Sequence, residues 1–115
     1  MKWLICGGRF YRDEKQMFSC MEAIVNEHGR PSLIIHGGAT GADTLAEKYA
    51  NVTMIPTKVF PAEWTRLGRS AGFERNKEMI LEEPDMVIAF PGGGGTEHML
   101  ELAKRYNVPV TQVKI

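Results

Sequence analysis

The chain has 115 residues, of which 43% are hydrophobic and 24% are charged, and its formal net charge is zero. This length and composition predict one globular domain over residues 1–115, built around a single hydrophobic core. The balanced charge excludes a general electrostatic attraction to nucleic acid or to an anionic membrane, and no apolar run approaches the roughly 20 residues of a membrane span. The amino-terminal apolar run is too short for a secretory signal, so we expect a cytoplasmic protein with reduced Cys6 and Cys20.

Strand-like and helix-like segments alternate along the chain. Strands are predicted over residues 2–6, 32–36, 53–60, 85–90 and 109–113, where short apolar runs end at glycine or proline. The first helix follows Asp13 as its cap and ends at Gly29, and the second begins at residues 40–43. Two further helices are predicted over 68–82 and 96–106. In the third helix the pattern predicts buried side chains at Ala71, Phe73, Met79 and Ile80.

This alternation predicts right-handed βαβ crossovers and a parallel sheet with helices on both faces. The fold class is therefore α/β: a Rossmann-like three-layer sandwich with a parallel sheet of about five strands in the order 3-2-1-4-5. In such a sheet the ligand lies beyond the carboxyl ends of the strands, where the strand order reverses. We expect that crevice between the first and fourth strands.

Three glycine-rich turns follow predicted strands, at residues 7–8, 37–38 and 92–95, and we call them the first, second and third glycine turns. Because all three lie at carboxyl ends of strands, we expect them to meet at one rim of the sheet. The third turn leads into a helix, whose start presents unpaired N–H groups and the positive end of a dipole. Together with the close backbone approach that glycine permits, this predicts a phosphate-binding or anion-binding turn. The alternative is a tight turn needed only for packing the helix on the sheet.

Polar side chains near these turns are further candidates. Arg9 either holds a phosphate or carboxylate or is a solvated surface residue. Asp43 either accepts hydrogen bonds from a ribose hydroxyl, or caps its helix or braces Arg9. Arg75 and Asn76, on the third predicted helix, either contact the ligand or serve a structural ion pair with a neighbouring glutamate. His36 either donates to a ligand or is a satisfied buried histidine.

Other residues give weaker predictions. Trp64 either stacks on a base or covers an edge of the core. His28 and His98 lack the spacing to cysteines or carboxylates that a metal site needs, so we expect no metal and no cofactor. The sequence has no Ser-His-Asp set, no Cys-His set and no Walker motif, so these hydrolytic mechanisms have no residues to perform them.

Four segments taken together, 6–10, 35–43, 71–79 and 91–96, resemble the SLOG superfamily, in its YspA- and YpsA-related branch, many of whose members are bacterial or phage proteins. The chain is also distantly similar to the "lonely guy" phosphoribohydrolases of that superfamily. The resemblance covers nearly the whole chain and implies a Rossmann-like domain that binds a nucleotide or a nucleotide-derived molecule. It also implies a homodimer.

In the phosphoribohydrolases an Arg in the motif Arg-Lys-x-x-Met and a Glu ending Pro-Gly-Gly-x-Gly-Thr-x-x-Glu act at an N-glycosidic bond. Arg75 matches the first motif, with Asn76 in place of the Lys. Met99 stands where the Glu would be, and a thioether cannot activate water. Glu97 lies two residues earlier, about 200° around a helix. This makes Glu97 a poor geometric substitute for the missing Glu. If the protein is an enzyme, the candidate catalytic residues are Arg75 with either Glu97 or Asp43.

Two hypotheses follow. The first is a module that binds a nucleoside phosphate or an ADP-ribose-like signal, as a sensor or a sequestering protein. The second is a hydrolase that cleaves a nucleotide N-glycosidic or phosphoester bond. Single-stranded DNA is a weaker candidate partner, because the net charge is zero and few aromatic residues are expected at the surface. The predicted ligand-binding residues are Gly7, Gly8, Arg9, Gly37, Gly38, Gly41, Asp43, Arg75, Asn76, Pro91, Gly92, Gly93, Gly94, Gly95 and Thr96.

Overall fold

The computed structural model describes residues 1–62 and 71–114. Within these ranges the strands are β1 (Lys2–Cys6), β2 (Leu33–His36), β3 (Thr57–Val59), β4 (Met86–Ala89) and β5 (Val110–Gln112). The helices of the same ranges are α1 (Glu14–His28), α2 (Ala42–Thr53), α3 (Ala71–Ile80) and α4 (Gly94–Arg105). None of these helices has the length and hydropathy that crossing a membrane requires.

The strands form one five-stranded sheet in the order β3-β2-β1-β4-β5. Every neighbouring pair is parallel, and Leu4 of the central strand aligns with Ile35 of β2 and Val87 of β4. The predicted class and strand order are therefore confirmed. The chain moves outward from β1 to β3 on one side and then returns to the other side of β1. The strand order consequently reverses between β1 and β4.

Alternate residues of β1 point to opposite faces of the sheet, as the pleat requires. Trp3 and Ile5 pack in a cluster with buried residues of α1 and α2, whereas Leu4 and Cys6 pack in a cluster with buried residues of α3 and α4. The sequence predicted one core. The sheet instead divides the apolar interior into two layers, because helices cover both of its faces.

The helix ends follow local chemistry. The Asp13 carboxylate accepts the N–H of Gln16 at 3.0 Å, which confirms the predicted cap of α1. Gly29, which follows α1, has a φ of 89°, a conformation that favours glycine. The cap of α2 is Gly41, with a φ of 81° and no side-chain hydrogen bond, so Asp43 does not cap this helix.

Three local predictions were wrong in position. The strand predicted from residue 53 begins at Thr57, because α2 continues through Thr53, whose hydroxyl donates to the Tyr49 carbonyl at 2.7 Å. The helix predicted from residue 96 begins at Gly94. Phe73, predicted to be buried, is 55% exposed. Trp64 and the predicted helix start at 68–70 lie outside the described residues.

Candidate functional site

A cleft with a volume of about 780 Å³ lies at the carboxyl ends of β1 and β4. Its position is the one that an open parallel sheet predicts for a ligand, and its size lies within the range of about 300–1,000 Å³ that is usual for small-molecule sites. The cleft is formed by the end of β1 and the loop after it, one face of α3, and the turn between β4 and α4. The described lining residues are 5–13, 39, 43, 72–73, 75–76, 79 and 91–96.

The first and third glycine turns touch through their backbones. The Gly8 N–H donates to the Pro91 carbonyl at 2.8 Å. A Cβ atom on Gly8 would lie 2.8 Å from that same oxygen, and one on Gly92 would lie 2.6 Å from the Gly8 nitrogen. Because a side chain at either position would meet backbone atoms, packing alone requires glycine at Gly8 and Gly92.

The remaining glycines of the third turn have no such packing reason. Apart from the adjoining residues and the backbone of α4 itself, no described atom lies within 4 Å of the position that a Cβ would take on Gly93, Gly94 or Gly95. Their φ angles are also not among the positive ones found in the described chain. No side chain of the described residues caps α4, whose amino-terminal turn leaves its first N–H groups without helical acceptors. These exposed glycines therefore present backbone donors at the cleft.

The second glycine turn uses its donors internally. The Gly38 N–H donates to His36 Nδ1 at 3.0 Å, and the Ala39 N–H donates to Asp43 Oδ2 at 3.2 Å. The Gly37 carbonyl accepts from Arg75 Nη1 at 2.9 Å. Gly37, Gly38 and Gly41 do not line the main cleft, and Gly38 lines a smaller neighbouring cavity. The structure brings this turn to the predicted rim as a support for the cleft wall.

Gly41 fits against the loop after β1. Its φ is 81°, and a Cβ there would lie 2.3 Å from the Gly8 carbonyl oxygen. The Ala42 N–H donates to that same oxygen at 3.1 Å. The start of α2 is therefore fixed against the first glycine turn.

His36 is buried, and its two hydrogen bonds determine the tautomer of its ring. Because Nδ1 accepts the Gly38 N–H, the proton of the neutral ring lies on Nε2, which donates to Glu47 Oε1 at 2.6 Å. This hydrogen bond from His36 lowers the pKa of Glu47. With both ring nitrogens engaged, the contacts support the interpretation of His36 as a satisfied buried histidine.

Burial shifts the pKa values of two charged side chains of the cleft, Asp43 and Arg75, toward their neutral forms. Burial raises the pKa of Asp43, which is only 7% exposed, although the Ala39 N–H favours its charged form. Burial lowers the pKa of Arg75; the charge of Asp43 opposes this shift, and the like charge of Arg9 adds to it. Arg9 and Arg75 both line the cleft, which therefore carries two cationic side chains.

Asn76 connects α3 to the third glycine turn. It is 5% exposed, its Oδ1 accepts from Arg75 Nε at 3.1 Å, and its Nδ2 donates to the Gly95 carbonyl at 3.2 Å. The same Nδ2 lies 3.1 Å from His98 Nδ1. Arg75 donates to the Gly37 carbonyl and to Asn76 Oδ1, and among the residues that the structure describes it forms no ion pair with a glutamate of its own helix.

The candidate catalytic residues are separated by the fold. Arg75 lines the cleft, but Glu97 is exposed and does not. Met99, also on α4, is fully buried in the core cluster between α4 and the sheet. Cys6 lines the cleft, but burial raises its pKa to about 12, which leaves a thiol and not the nucleophilic thiolate at neutral pH. Within residues 1–62 and 71–114 no cluster of three His, Cys, Asp or Glu side chains is placed to hold a metal ion.

Sequence reasoning missed three aromatic residues of the cleft, the exposed Phe10 and Phe73 and the buried Tyr11. Phe10 had a visible signal, since an aromatic side chain stands directly after the first glycine turn in a loop. Phe73 was assigned to the core because its neighbours on α3 fit an apolar pattern.

An open parallel sheet with this strand order and a cleft beyond β1 and β4 defines a Rossmann-like α/β domain. The chain belongs to the YAcAr family, described as the YspA, cpYpsA-related SLOG family, whose model matches residues 1–67. It is 32% identical over 117 residues to the gene 61 protein of Mycobacterium phage D29, which covers 93% of this chain and 91% of that protein. The predicted resemblance is therefore confirmed. The chain has no significant match among solved structures.

Membership of the SLOG family associates the chain with nucleotide-related ligands, either bound or processed.

Proposed function

We propose that the protein binds a nucleoside phosphate or an ADP-ribose-like ligand in the cleft, as a sensor or a sequestering module. The phosphate accepts hydrogen bonds from the backbone N–H groups of the third glycine turn and from the Thr96 hydroxyl. The observation that supports this most directly is the open space around Gly93, Gly94 and Gly95.

Glycine is an unfavourable residue in a helix. Gly94 and Gly95 belong to α4, where glycine is less stable than alanine by roughly 0.5–1 kcal/mol per position. No described atom would clash with a Cβ there. A bound anion at the start of α4 would explain why these positions are glycine, because a Cβ would separate the anion from the N–H donors.

The charges of the cleft favour an anion as well. Arg9 and Arg75 both line the cleft, and guanidinium groups form charge-assisted hydrogen bonds with phosphate. Asp43 lies on the same wall and accepts hydrogen bonds, which suits a ribose hydroxyl.

A second candidate function is hydrolysis of the ligand, and one observation favours it. Asp43 is a buried carboxyl group in the cleft with a raised pKa, which is the property of a general acid or base. Under this alternative Asp43, and not Glu97, is the carboxylate that acts with Arg75, and Arg75 stabilises the charge of the phosphate.

The test is incubation with AMP, ADP-ribose and cyclic ADP-ribose isomers, followed by chromatography of the protein-bound and free fractions. Recovery of intact bound ligand supports the binding module, whereas free base with ribose phosphate supports the hydrolase. The Asp43→Asn variant tests the hydrolase directly. If Asp43 is the catalytic carboxylate, this variant should no longer cleave the ligand but should still retain it. If the protein neither retains nor cleaves any compound of the panel, both functions are contradicted.

A further inference from the structure

We propose that Phe10 and Phe73 form a stacking site for the planar base of the ligand, in the same cleft as the third glycine turn. The ligand class is then a nucleotide that retains its base, held by stacking at one end and by its phosphate at the other. This inference rests on the proposed function, since the cleft must accept a nucleotide for its base to stack there.

The first observation is the distribution of phenylalanine. The chain has five, and Phe18, Phe60 and Phe90 pack in or against the two core clusters. Phe10 is 89% exposed and Phe73 is 55% exposed, and both line the cleft. The phenylalanines that do not stabilise the fold by burial are therefore the ones that face the candidate ligand site.

Exposure alone does not single out these residues, because isolated apolar side chains are common on protein surfaces. Val52, Met54 and Leu81 are also more than half exposed, at 64%, 83% and 54%. These residues are aliphatic and line neither of the two described cavities. What distinguishes Phe10 and Phe73 is that two exposed aromatic rings from separate segments share one cleft, whose other aromatic lining residue among those described, Tyr11, is buried.

The second observation is a chain of contacts from Phe73 to the phosphate-binding turn. The Phe73 ring lies 4.5 Å from the His98 ring, at an interplanar angle of 49°. His98 Nδ1 lies 3.1 Å from Asn76 Nδ2, which donates to the Gly95 carbonyl at 3.2 Å. Because only these short contacts separate the ring from the turn, one small ligand can reach both.

The third observation is the chemistry of the loop after β1. Phe10 lies between Arg9 and Arg12 in the chain, and all three residues line the cleft. An aromatic ring flanked by cations suits a ligand that combines a planar base with a negative charge. A phenyl ring has no hydrogen-bonding group, so the site should favour the larger purine surface over a pyrimidine without reading its edge.

The test is calorimetric titration of the full chain with AMP and with ribose 5-phosphate, which lacks the base. Phe10→Ala and Phe73→Ala should each weaken AMP binding by roughly 5-fold to 150-fold, the range that alanine substitution gives for base–aromatic stacking. Ribose 5-phosphate binding should stay unchanged in both variants. Leu81→Ala is the matched control, because it removes an equally exposed apolar side chain away from the cleft.

Other outcomes overturn the inference in distinguishable ways. Unchanged AMP affinity in both variants removes the stacking site while the proposed function stands. If an alanine variant loses affinity for AMP and for ribose 5-phosphate equally, the substitution has damaged the phosphate-binding turn and the stacking site is not supported. Phe73→Leu tests for such damage, because leucine keeps an apolar side chain packed on His98. If Phe10→Ala instead changes the sedimentation coefficient, a second copy of the chain covers this face. If the unmodified protein binds neither AMP nor ribose 5-phosphate, and also none of the ADP-ribose compounds, the proposed function fails and the stacking site with it.

Discussion

At the scale of single residues, neighbouring glycines of one turn have different reasons to be glycine. Gly92 is enclosed by the first glycine turn, whereas Gly94 has open space where a Cβ would stand. Both belong to the same run of four glycines, and the sequence cannot distinguish them. The difference lies in backbone atoms that residues 7 and 8 bring from the far end of the chain.

This contrast predicts opposite effects of two alanine substitutions. Gly94→Ala should raise the free energy of unfolding by about 0.5–1 kcal/mol and weaken ligand binding, because the Cβ separates phosphate from the N–H groups. Gly92→Ala should lower stability by about 1–3 kcal/mol, because its Cβ meets the Gly8 nitrogen. Urea denaturation measures stability, and calorimetric titration with AMP measures ligand binding.

Gly94→Val should abolish ligand binding, because its larger side chain blocks the approach of phosphate to the backbone. Full retention of AMP by a folded Gly94→Val protein would contradict phosphate binding at the third glycine turn.

Asn76 gives a second prediction at this scale. Asn76→Asp removes the donors to the Gly95 carbonyl and His98, and it places a buried carboxylate against that carbonyl oxygen. Stability should fall by about 1–3 kcal/mol, the cost of leaving buried polar groups unsatisfied. Asn26→Asp, at an exposed position of α1, is the matched control and should change little. Equal denaturation midpoints for the two variants would show that the link from α3 to the third turn does not stabilise the fold.

The two cysteines should differ in reactivity. Cys6 is buried with a pKa of about 12, whereas Cys20 is partly exposed. Iodoacetamide at pH 8 should therefore modify native protein once, at Cys20, and modify Cys6 only after unfolding. Mass spectrometry of peptides reports the site. Rapid labelling of Cys6 in folded protein would show that the floor of the cleft is open to solvent.

At the scale of elements, the pair His36–Glu47 joins β2 to α2. The hydrogen bond from His36 holds the pKa of Glu47 below its ordinary value of 4.5. A carboxyl group with a depressed pKa stabilises the fold fully above its unfolded pKa, and this contribution is lost as the pH falls through the folded value.

The melting temperature of Glu47→Gln should therefore lie below that of the unmodified protein at pH 6–7, and the gap should close as the pH falls below about 4. Glu101→Gln, at an exposed position of α4, serves as the control and should show no such convergence. Thermal denaturation followed by circular dichroism between pH 3 and 7 measures both. A gap that stays constant with pH would mean that the charge of Glu47 does not contribute.

Element boundaries show where local patterns stop being sufficient. Residues 52–53 are Val and Thr, which favour strands, yet they complete α2 because the Thr53 hydroxyl bonds back to the helix. Phe73 follows an apolar pattern, yet α3 turns it to the cleft, since Met79 and Ile80 already fill the contact with the sheet. In the first case a side-chain hydrogen bond accompanies the helical conformation, and in the second case packing of the helix on the sheet overrides the preference of one residue.

At the scale of the molecule, the homodimer implied by the family resemblance remains a prediction. Large hydrophobic residues of the described chain are exposed away from the cleft, among them Tyr106 and Val110. Burial of such side chains between two copies would stabilise an assembly. Sedimentation equilibrium at micromolar concentration should give about twice the chain mass of 12.9 kDa. A single-chain mass at that concentration would contradict the prediction.

The sequence by itself determined the class, the strand order and the positions of the three glycine turns. These follow from local periodicity and turn chemistry, and the handedness of crossovers then allows few topologies. Only the tertiary structure decided which turn offers free donors, that Met99 is buried in the core and Glu97 lies outside the cleft, and that Phe10 and Phe73 share the cleft. Those properties depend on contacts between segments far apart in the chain, such as Gly8 with Pro91 and Arg75 with Gly37, which no local pattern encodes.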